Sequence, residues 1–191
     1  MLDEGVQLGG ACIRPGDKVL VSGTLGDHGI TIMSCREGLG FSAHVQSDAA
    51  PLNHLIARVL AAAPHTHCFR DPTRGGLAST LNELAGQAQV DIVIEEAAVP
   101  VKDAVRGACD MLGYNVLQVA NEGKMVCVVA PQEAQAALEA MCEDPYGADA
   151  AIIGSVSEAQ PQRGPKVFLR NAFGGTCILD MLVGEQLPRI C

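Results

Sequence analysis

The feature that most limits the fold of this chain is the short connection between its last two strand-like runs. Lys166-Val167-Phe168-Leu169-Arg170 and Thr176-Cys177-Ile178-Leu179-Asp180 flank the link Asn171-Ala172-Phe173-Gly174-Gly175. Parallel neighbours need a crossover of about a dozen residues or more, so these two runs form a final hairpin, and a sheet that contains them is not purely parallel. Upstream, Lys18 to Gly23 is an apolar, β-branched strand. Val90 to Glu95 alternates as a strand with one buried face, and Met125 to Ala130 and Ala151 to Val156 also read as strands. Helices are expected over Ile30–Arg36 (with Asp27 as N-cap), Leu52–Ala63, Leu77–Gln87 and Lys102–Leu112. A last one runs to Cys142, with Pro131 at its first position. Asn115 to Ala120 fits either type, and His67 to Arg70 reads as a short connecting segment. Strands and helices are interleaved, with hairpins among them. The expected fold is α+β: a mixed, largely antiparallel sheet covered by helices.

At 191 residues the chain suffices for one well-buried domain, or one domain and an appendage. With no Trp and few Phe or Tyr, the core must come from Val, Ile, Leu, Ala and Met. A net charge of −9 argues against broad binding to nucleic acid or an anionic membrane, while leaving room for a small cationic pocket. No apolar run reaches the roughly 18 residues of a membrane span. Met1 to Gly5 lacks the basic and apolar regions of a secretory signal, and a cytoplasmic protein is expected. The eight cysteines form no Cys-x-x-Cys pair and read as reduced thiols. His65-Thr66-His67-Cys68 lacks a second ligand cluster at zinc spacing, so no metal site is expected.

Three glycine-bearing stretches are candidates for chemistry. Gly23-Thr24-Leu25-Gly26-Asp27-His28-Gly29 joins a strand to a helix and is neither a Walker A loop nor a Rossmann fingerprint. It reads as a tight turn capped by Asp27, or as a backbone approach to a ligand or partner in which Asp27 and His28 take part. In Asp71-Pro72-Thr73-Arg74-Gly75-Gly76, Thr73 is placed to cap the following helix. Gly75 and Gly76 would leave bare amides in its first turn, and those amides, the helix dipole and Arg74 all favour an anion. Asn121-Glu122-Gly123-Lys124 precedes a buried strand and places Glu122 like a general base or polar clamp, or else in a plain turn. Finally, Pro188-Arg189-Ile190-Cys191 ends the chain on a thiol. From Asp180 an extended tail reaches ~35 Å at 3.3 Å per residue, far enough to enter another site.

Together, Gly26-Asp27-His28-Gly29, Asp71 to Ala78 and Asn121-Glu122-Gly123-Lys124 resemble the C-terminal domain of the aminoimidazole-ribonucleotide-synthetase (PurM-like) superfamily of ATP-dependent enzymes. Selenophosphate synthetase and thiamine-monophosphate kinase belong to the same superfamily. The Pro-Arg-Ile-Cys ending is similar to that of its hydrogenase-maturation branch, the HypE family. The resemblance covers essentially the whole chain. It implies that residues 1–15 are a linker from an absent N-terminal ATP-binding domain, 16–158 the PurM C-terminal-like domain, and 159–191 a terminal hairpin and mobile tail. It implies that Cys191 accepts a carbamoyl group from HypF, and that ATP with Mg2+, mostly held by the absent domain, drives its dehydration to a thiocyanate. The cyano group then passes to the HypC–HypD complex for the iron of [NiFe] hydrogenase. Glu122 would contribute the base. Asp71, Thr73, Arg74, Gly75, Gly76 and Asn121 would lie on the phosphate side. The full-length family member is expected to dimerise, and this chain alone to be a monomeric, non-catalytic carrier that presents Cys191. A sibling synthetase or small-molecule kinase is the remaining alternative.

Overall fold

A computed structural model of the chain describes residues 7–37 and 45–181. Seven strands form one sheet: β1 (Lys18–Val21), β2 (Thr66–Arg70), β3 (Val90–Glu95), β4 (Val126–Val129), β5 (Ala151–Glu158), β6 (Val167–Arg170) and β7 (Thr176–Ile178). Their spatial order is β2-β4-β1-β5-β3-β6-β7. Every pairing is antiparallel except β3 with β6. The mixed, mostly antiparallel sheet anticipated from the closing hairpin is present, and that hairpin is β6–β7.

The helices are α1 (Asp27–Glu37), α2 (Asn53–Ala62), α3 (Gly76–Ala88), α4 (Asp103–Leu112) and α5 (Ala134–Cys142). Alternation along the central strands divides the interior in two. Val19 and Val21 of β1 and Val126 and Val128 of β4 point to one face, where Leu77, Leu81 and Leu84 of α3 cover them. Leu20, Cys127 and Val129 point to the other, against Leu55 and Val59 of α2 and Met141 of α5. A satellite cluster joins α1 and α4 through Ile30, Val105 and Cys109. Val101 and Val116 connect it to the α3 face. With no Trp available, the core among the described residues is built mainly from aliphatic side chains, with Cys68, Cys109 and Cys127 among them and Phe69 and Tyr114 packed alongside.

Several local expectations change. Thr66–Arg70 is not a mere connector but an edge strand, held by β4 and anchored by buried Cys68. The ambiguous Asn115–Ala120 stretch contains a 3-10 turn, Val116–Gln118, and the Asn115 side chain accepts from the Leu117 N–H at 3.0 Å. Pro131 opens a 3-10 turn, Pro131–Glu133, before α5 rather than α5 itself. Asp27 is the first residue of α1, not its cap. Within the stretch expected as a linker, Ile13 is 4% exposed in the main core and the Gly9 N–H donates to the His67 carbonyl at 2.9 Å. Gly9 to Ile13 thus pack against the body of the domain. The β6–β7 hairpin is likewise continuous with the sheet through β3. Among the described residues, no helix is long and apolar enough to cross a membrane.

Candidate functional site

The three glycine-bearing stretches are far apart in sequence and meet at one buried side chain. Asn121 is fully buried. Its Oδ1 accepts from the Gly26 N–H at 2.8 Å, and its Nδ2 donates to the carbonyls of Pro72 at 3.1 Å and Val119 at 3.0 Å. Its own N–H donates to the Pro72 carbonyl at 3.2 Å. An amide side chain supplies one acceptor oxygen and two donor hydrogens, and both hydrogens are already taken. Asn121 is therefore a staple between the stretches. Both of its donor hydrogens are spent within the chain, so its part in the site is to fix the loops.

The glycines serve the same convergence. Gly75 and Gly76 have φ of 69° and 59°, which a side chain makes costly. A Cβ on Gly76 would stand 2.6 Å from the Val119 carbonyl oxygen and 2.7 Å from that of Leu117. α3 thus starts with its backbone pressed on the segment that carries Asn121. Gly123 is tighter still, since a Cβ there would overlap the Asp48 carbonyl, at 1.6 Å. The loop before α2 lies flat on the turn that holds Glu122.

Between the Gly23–Asp27 loop, the loop before α2 and Lys124, a polar cavity of about 270 Å³ opens, lined among others by Thr24, Asp27, Ser47, Asp48, Lys102 and Lys124; none of Asp71 to Gly76 lines it. Asp27 and Asp48 have side chains only 1% and 3% exposed. Asp27 Oδ2 accepts from the Thr24 hydroxyl at 2.5 Å and lies 3.0 Å from Lys102 Nζ. Asp48 Oδ1 accepts from the Glu122 N–H at 3.4 Å, and its Oδ2 lies 3.6 Å from Lys124 Nζ. Asp27 also stands in the first turn of α1, where the helix dipole favours a carboxylate. One oxygen of each, Asp27 Oδ1 and Asp48 Oδ2, has no hydrogen-bond partner.

The remaining candidates lie outside the lining of this cavity. Glu122 is half-buried beside Asp48. His28 turns aside, its Nδ1 2.9 Å from Ser47 Oγ, and its Nε2 is buried without a partner. Asp71 is exposed, 3.8 Å from Arg70. Thr73 does not cap α3 with its side chain. The N-cap is Gly75, and Thr73 instead accepts the Gly76 N–H on its carbonyl at 3.1 Å. Of the two bare amides expected, Gly76's is thus occupied. Arg74 is exposed and has no ion pair among the described residues, so it and the Gly75 amide fit an anion. Cys191 lies outside the described residues. Asp48 and Lys102 were not anticipated. Asp48 sits in a polar loop and Lys102 at an ordinary helix start, and neither carries a local signal, because each partner is distant in sequence.

No group of three or more His, Cys, Asp or Glu among the described residues suits a metal ion. The cavity's buried carboxylates, Asp27 and Asp48, are each paired with a lysine, so a divalent ion does not fit between them. The described thiols divide by burial. Cys68 is pushed up to about 11 by burial, against the pull of Arg70, and Cys109 to about 11 by burial and Asp110. Cys127 is raised too, by burial first and Cys68 second.

Residues 14–164 match the family model of the AIR synthase related protein, C-terminal domain. The carbamoyl dehydratase HypE of Azotobacter vinelandii is 50% identical over 187 residues, 98% of this chain and 54% of that protein. A crystal structure of the hydrogenase maturation protein HypE superposes with a TM-score of 0.92 at 46% identity, covering 100% of this chain and 60% of that one. HypE in complex with ATP gives 0.89 at 46% identity, covering 96% of this chain and 55% of that one. A HypE–HypF complex gives 0.89 at 42%, covering 95% and 58%. The chain spans about half the length of the curated relatives it matches.

Proposed function

The chain belongs to the family of AIR synthase related C-terminal domains, and we propose that it is the part of a HypE-type carbamoyl dehydratase that carries the acceptor thiol and one wall of the dehydration site. The observation that carries this reading is the convergence of the three stretches on Asn121 beside a polar cavity, in a chain half identical to carbamoyl dehydratase HypE. In the proposed reaction, the Cys191 thiolate first receives a carbamoyl group from HypF, the protein found in complex with a similar HypE. The S-carboxamide, R–S–CO–NH2, then loses water to give R–S–C≡N as ATP becomes ADP and phosphate. ATP supplies the phosphoryl group that turns the amide oxygen into a leaving group.

This chain's residues act around that transfer. Arg74 and the Gly75 amide neutralise phosphate charge where it builds up. Glu122 takes a nitrogen-bound proton as phosphate departs. Asp71, Thr73 and Gly76 shape the loop that presents Arg74, and Asn121 fixes that loop to Gly26 and hence to Asp27 and His28. The tail from 182 onward carries Cys191 between HypF and this wall, and the product cyano group passes on to a HypC–HypD complex. In the full-length relatives' architecture, a self-dimer forms through the part of their length that this chain does not span. For the chain by itself we favour the carrier reading, since Mg2+ and most ATP contacts are assigned to that other part.

The test is the intact mass of this chain after incubation with HypF, carbamoyl phosphate and ATP, beside Cys191→Ala. A carbamoyl adduct on the wild type alone, without loss of water, supports the carrier reading. An adduct that persists in Cys191→Ala refutes the acceptor assignment. In a full-length protein, a Glu122→Gln variant that dehydrates at the normal rate would remove Glu122 from the role of base.

A further inference from the structure

The two ends of the sheet are finished differently. β2 closes one end and its outer edge is guarded. Its pairing slips between Thr66 and Cys68, the Gly9 N–H donates to the His67 carbonyl, and charged Arg70 ends the strand. β7 closes the other end with Thr176-Cys177-Ile178, which has no charge, proline or bulge. Native proteins protect open edges by such devices, and β7 has none of them. The Leu179 N–H donates to the Val167 carbonyl at 2.9 Å, and the Asn171 N–H to that of Gly175 at 2.9 Å. Bonded and unbonded pairs alternate along an antiparallel ladder, so Cys177 bonds to β6 while the backbone groups of Thr176 and Ile178 turn outward. Among the described residues nothing pairs with them. Apolar surface adjoins the same edge. Ile178 stands opposite Phe168, and Phe168 opposite Val93. Ile92, Ile94, Val167 and Leu179 belong to the core on the α3 face. The alternating row of Val93, Phe168 and Ile178 therefore faces the other side, beyond the cluster formed with α2 and α5. Of the five large hydrophobic side chains exposed among the described residues, Phe173, Ile178 and Met181 lie around β7.

Connectivity selects the occupant. Whatever precedes Gly9 joins the body at the β2 end, where Gly9 meets His67. Six strand spacings of ~4.8 Å put β7 about 29 Å from there. Residues 182–191 instead leave from Met181, beside β7, and reach at most about 33 Å when extended. A protein that acts on Cys191 must dock within that radius, and the open edge with its apolar row lies at its centre. We propose that β7 is the docking edge for the enzyme that carbamoylates Cys191, which adds an extended, uncharged strand to Thr176–Ile178 and lays apolar side chains over Ile178 and Phe168. The proposal rests on the function above for that enzyme's identity, a HypF-type carbamoyltransferase. A second copy of this chain fits less well. Two three-residue edges cover far less than the ~800 Å² a side of a stable interface. The carbamoylating enzyme also holds the tail, so a short strand pairing at high effective concentration suffices. A weak anchor then lets the loaded carrier leave.

The experiment measures binding of HypF to this chain carrying Cys191→Ala, so that the acceptor reaction plays no part. Hydrogen exchange at the amides of Thr176 and Ile178 is followed with and without HypF, and both are expected to slow at least tenfold in the complex. Thr176→Pro deletes one outward N–H at an edge position where proline is tolerated, and Ile178→Lys puts a charge in the apolar row. Each should weaken HypF binding at least tenfold, and Thr176→Val, which keeps the N–H, less than twofold. Unprotected amides, undiminished affinity in both variants, or no HypF binding by the chain overturn the proposal. So does a dimer of this chain that Thr176→Pro abolishes, which would assign the edge to a second copy. Should one variant fail to fold, the other and the exchange readout still decide. Because binding is read without the Cys191 thiol, the result is separate from the mass assay. Binding lost in both variants, with no carbamoyl adduct on the wild type, would keep the docking edge and remove the acceptor. An adduct formed at the wild-type rate in both variants would keep the acceptor and remove the edge.

Discussion

Replacing Asn121 by Ala should cost far more than one polar contact. The wild-type side chain satisfies the Gly26 N–H and donates to the Val119 and Pro72 carbonyls, all in a fully buried position. In Asn121→Ala the Pro72 carbonyl keeps the backbone N–H of residue 121. The Gly26 N–H and the Val119 carbonyl lose their bonds with no water to replace them. At ~1–3 kcal/mol for each buried group left unpaired, the loss is roughly 2–6 kcal/mol, a large part of the about 5–15 kcal/mol a domain possesses. Asn121→Asp keeps an acceptor for Gly26 but turns a charged oxygen towards two carbonyls, and should be at least as harmful. Urea unfolding midpoints give the comparison, and hydrogen exchange at the Gly26 amide reports the local break. A loss below about 1 kcal/mol for Asn121→Ala, or an Asp variant milder than Ala, would refute the idea that this side chain holds the site together.

Three further outcomes are expected. Lys102→Met removes the cation beside buried Asp27 and should destabilise by ~1–3 kcal/mol, discounted because the lysine is 46% exposed. An added Asp27→Asn should recover most of that loss in the same unfolding assay, and no recovery would mean that the pair is not what Lys102 contributes. Burial tends to raise Glu133, but hydrogen bonds from the ring and amide of His65 outweigh it and hold the carboxyl below its ordinary 4.5. A depressed folded pKa gives stability that is complete above the unfolded value and is lost as pH falls through the folded one. His65→Ala should therefore be less stable than wild type at pH 6, and the gap should close on acidification below about 4.5; a gap that widened there would reverse the argument. Alkylation at pH 8 should reach exposed Cys35, Cys142 and Cys177 well before Cys68 and Cys109, whose pKa values near 11 leave little thiolate. Equal labelling rates, read by peptide mass, would contradict the burial of those two.

How far the sequence reveals this molecule depends on how local each signal is. β3 falls on Val90–Glu95 as read, because its alternation is complete within six residues. The β6–β7 hairpin was legible because the short link allows no other pairing. β2 was not, since His, Cys, Phe and Arg make a weak strand pattern and its partner β4 lies some sixty residues later. The same limit governs the site. The glycines of the three stretches are visible in sequence, but which backbone each admits is not. Gly76 was read as leaving its amide open to phosphate, whereas its N–H is taken by Thr73 and its missing Cβ makes room for Val119 and Leu117. Asp48 had no sequence signal at all. Its meaning comes from Gly123, Lys124 and Glu122, which only the folded chain brings to it.

The strand order also sets a timetable for synthesis. β1 is made first yet sits in the middle of the sheet, and its two neighbours, β4 and β5, belong to the second half of the chain. Until Val129 has left the ribosome both edges of this apolar strand are open, and until Glu158 has followed one of them still is. At about 5–20 residues per second that interval is on the order of ten seconds. Pairings this distant are also slow to find. Production of this domain in cells should therefore respond to holdase chaperones and to lower temperature more than its final stability would suggest. Truncation anywhere before β5 should leave an insoluble product rather than a smaller folded one.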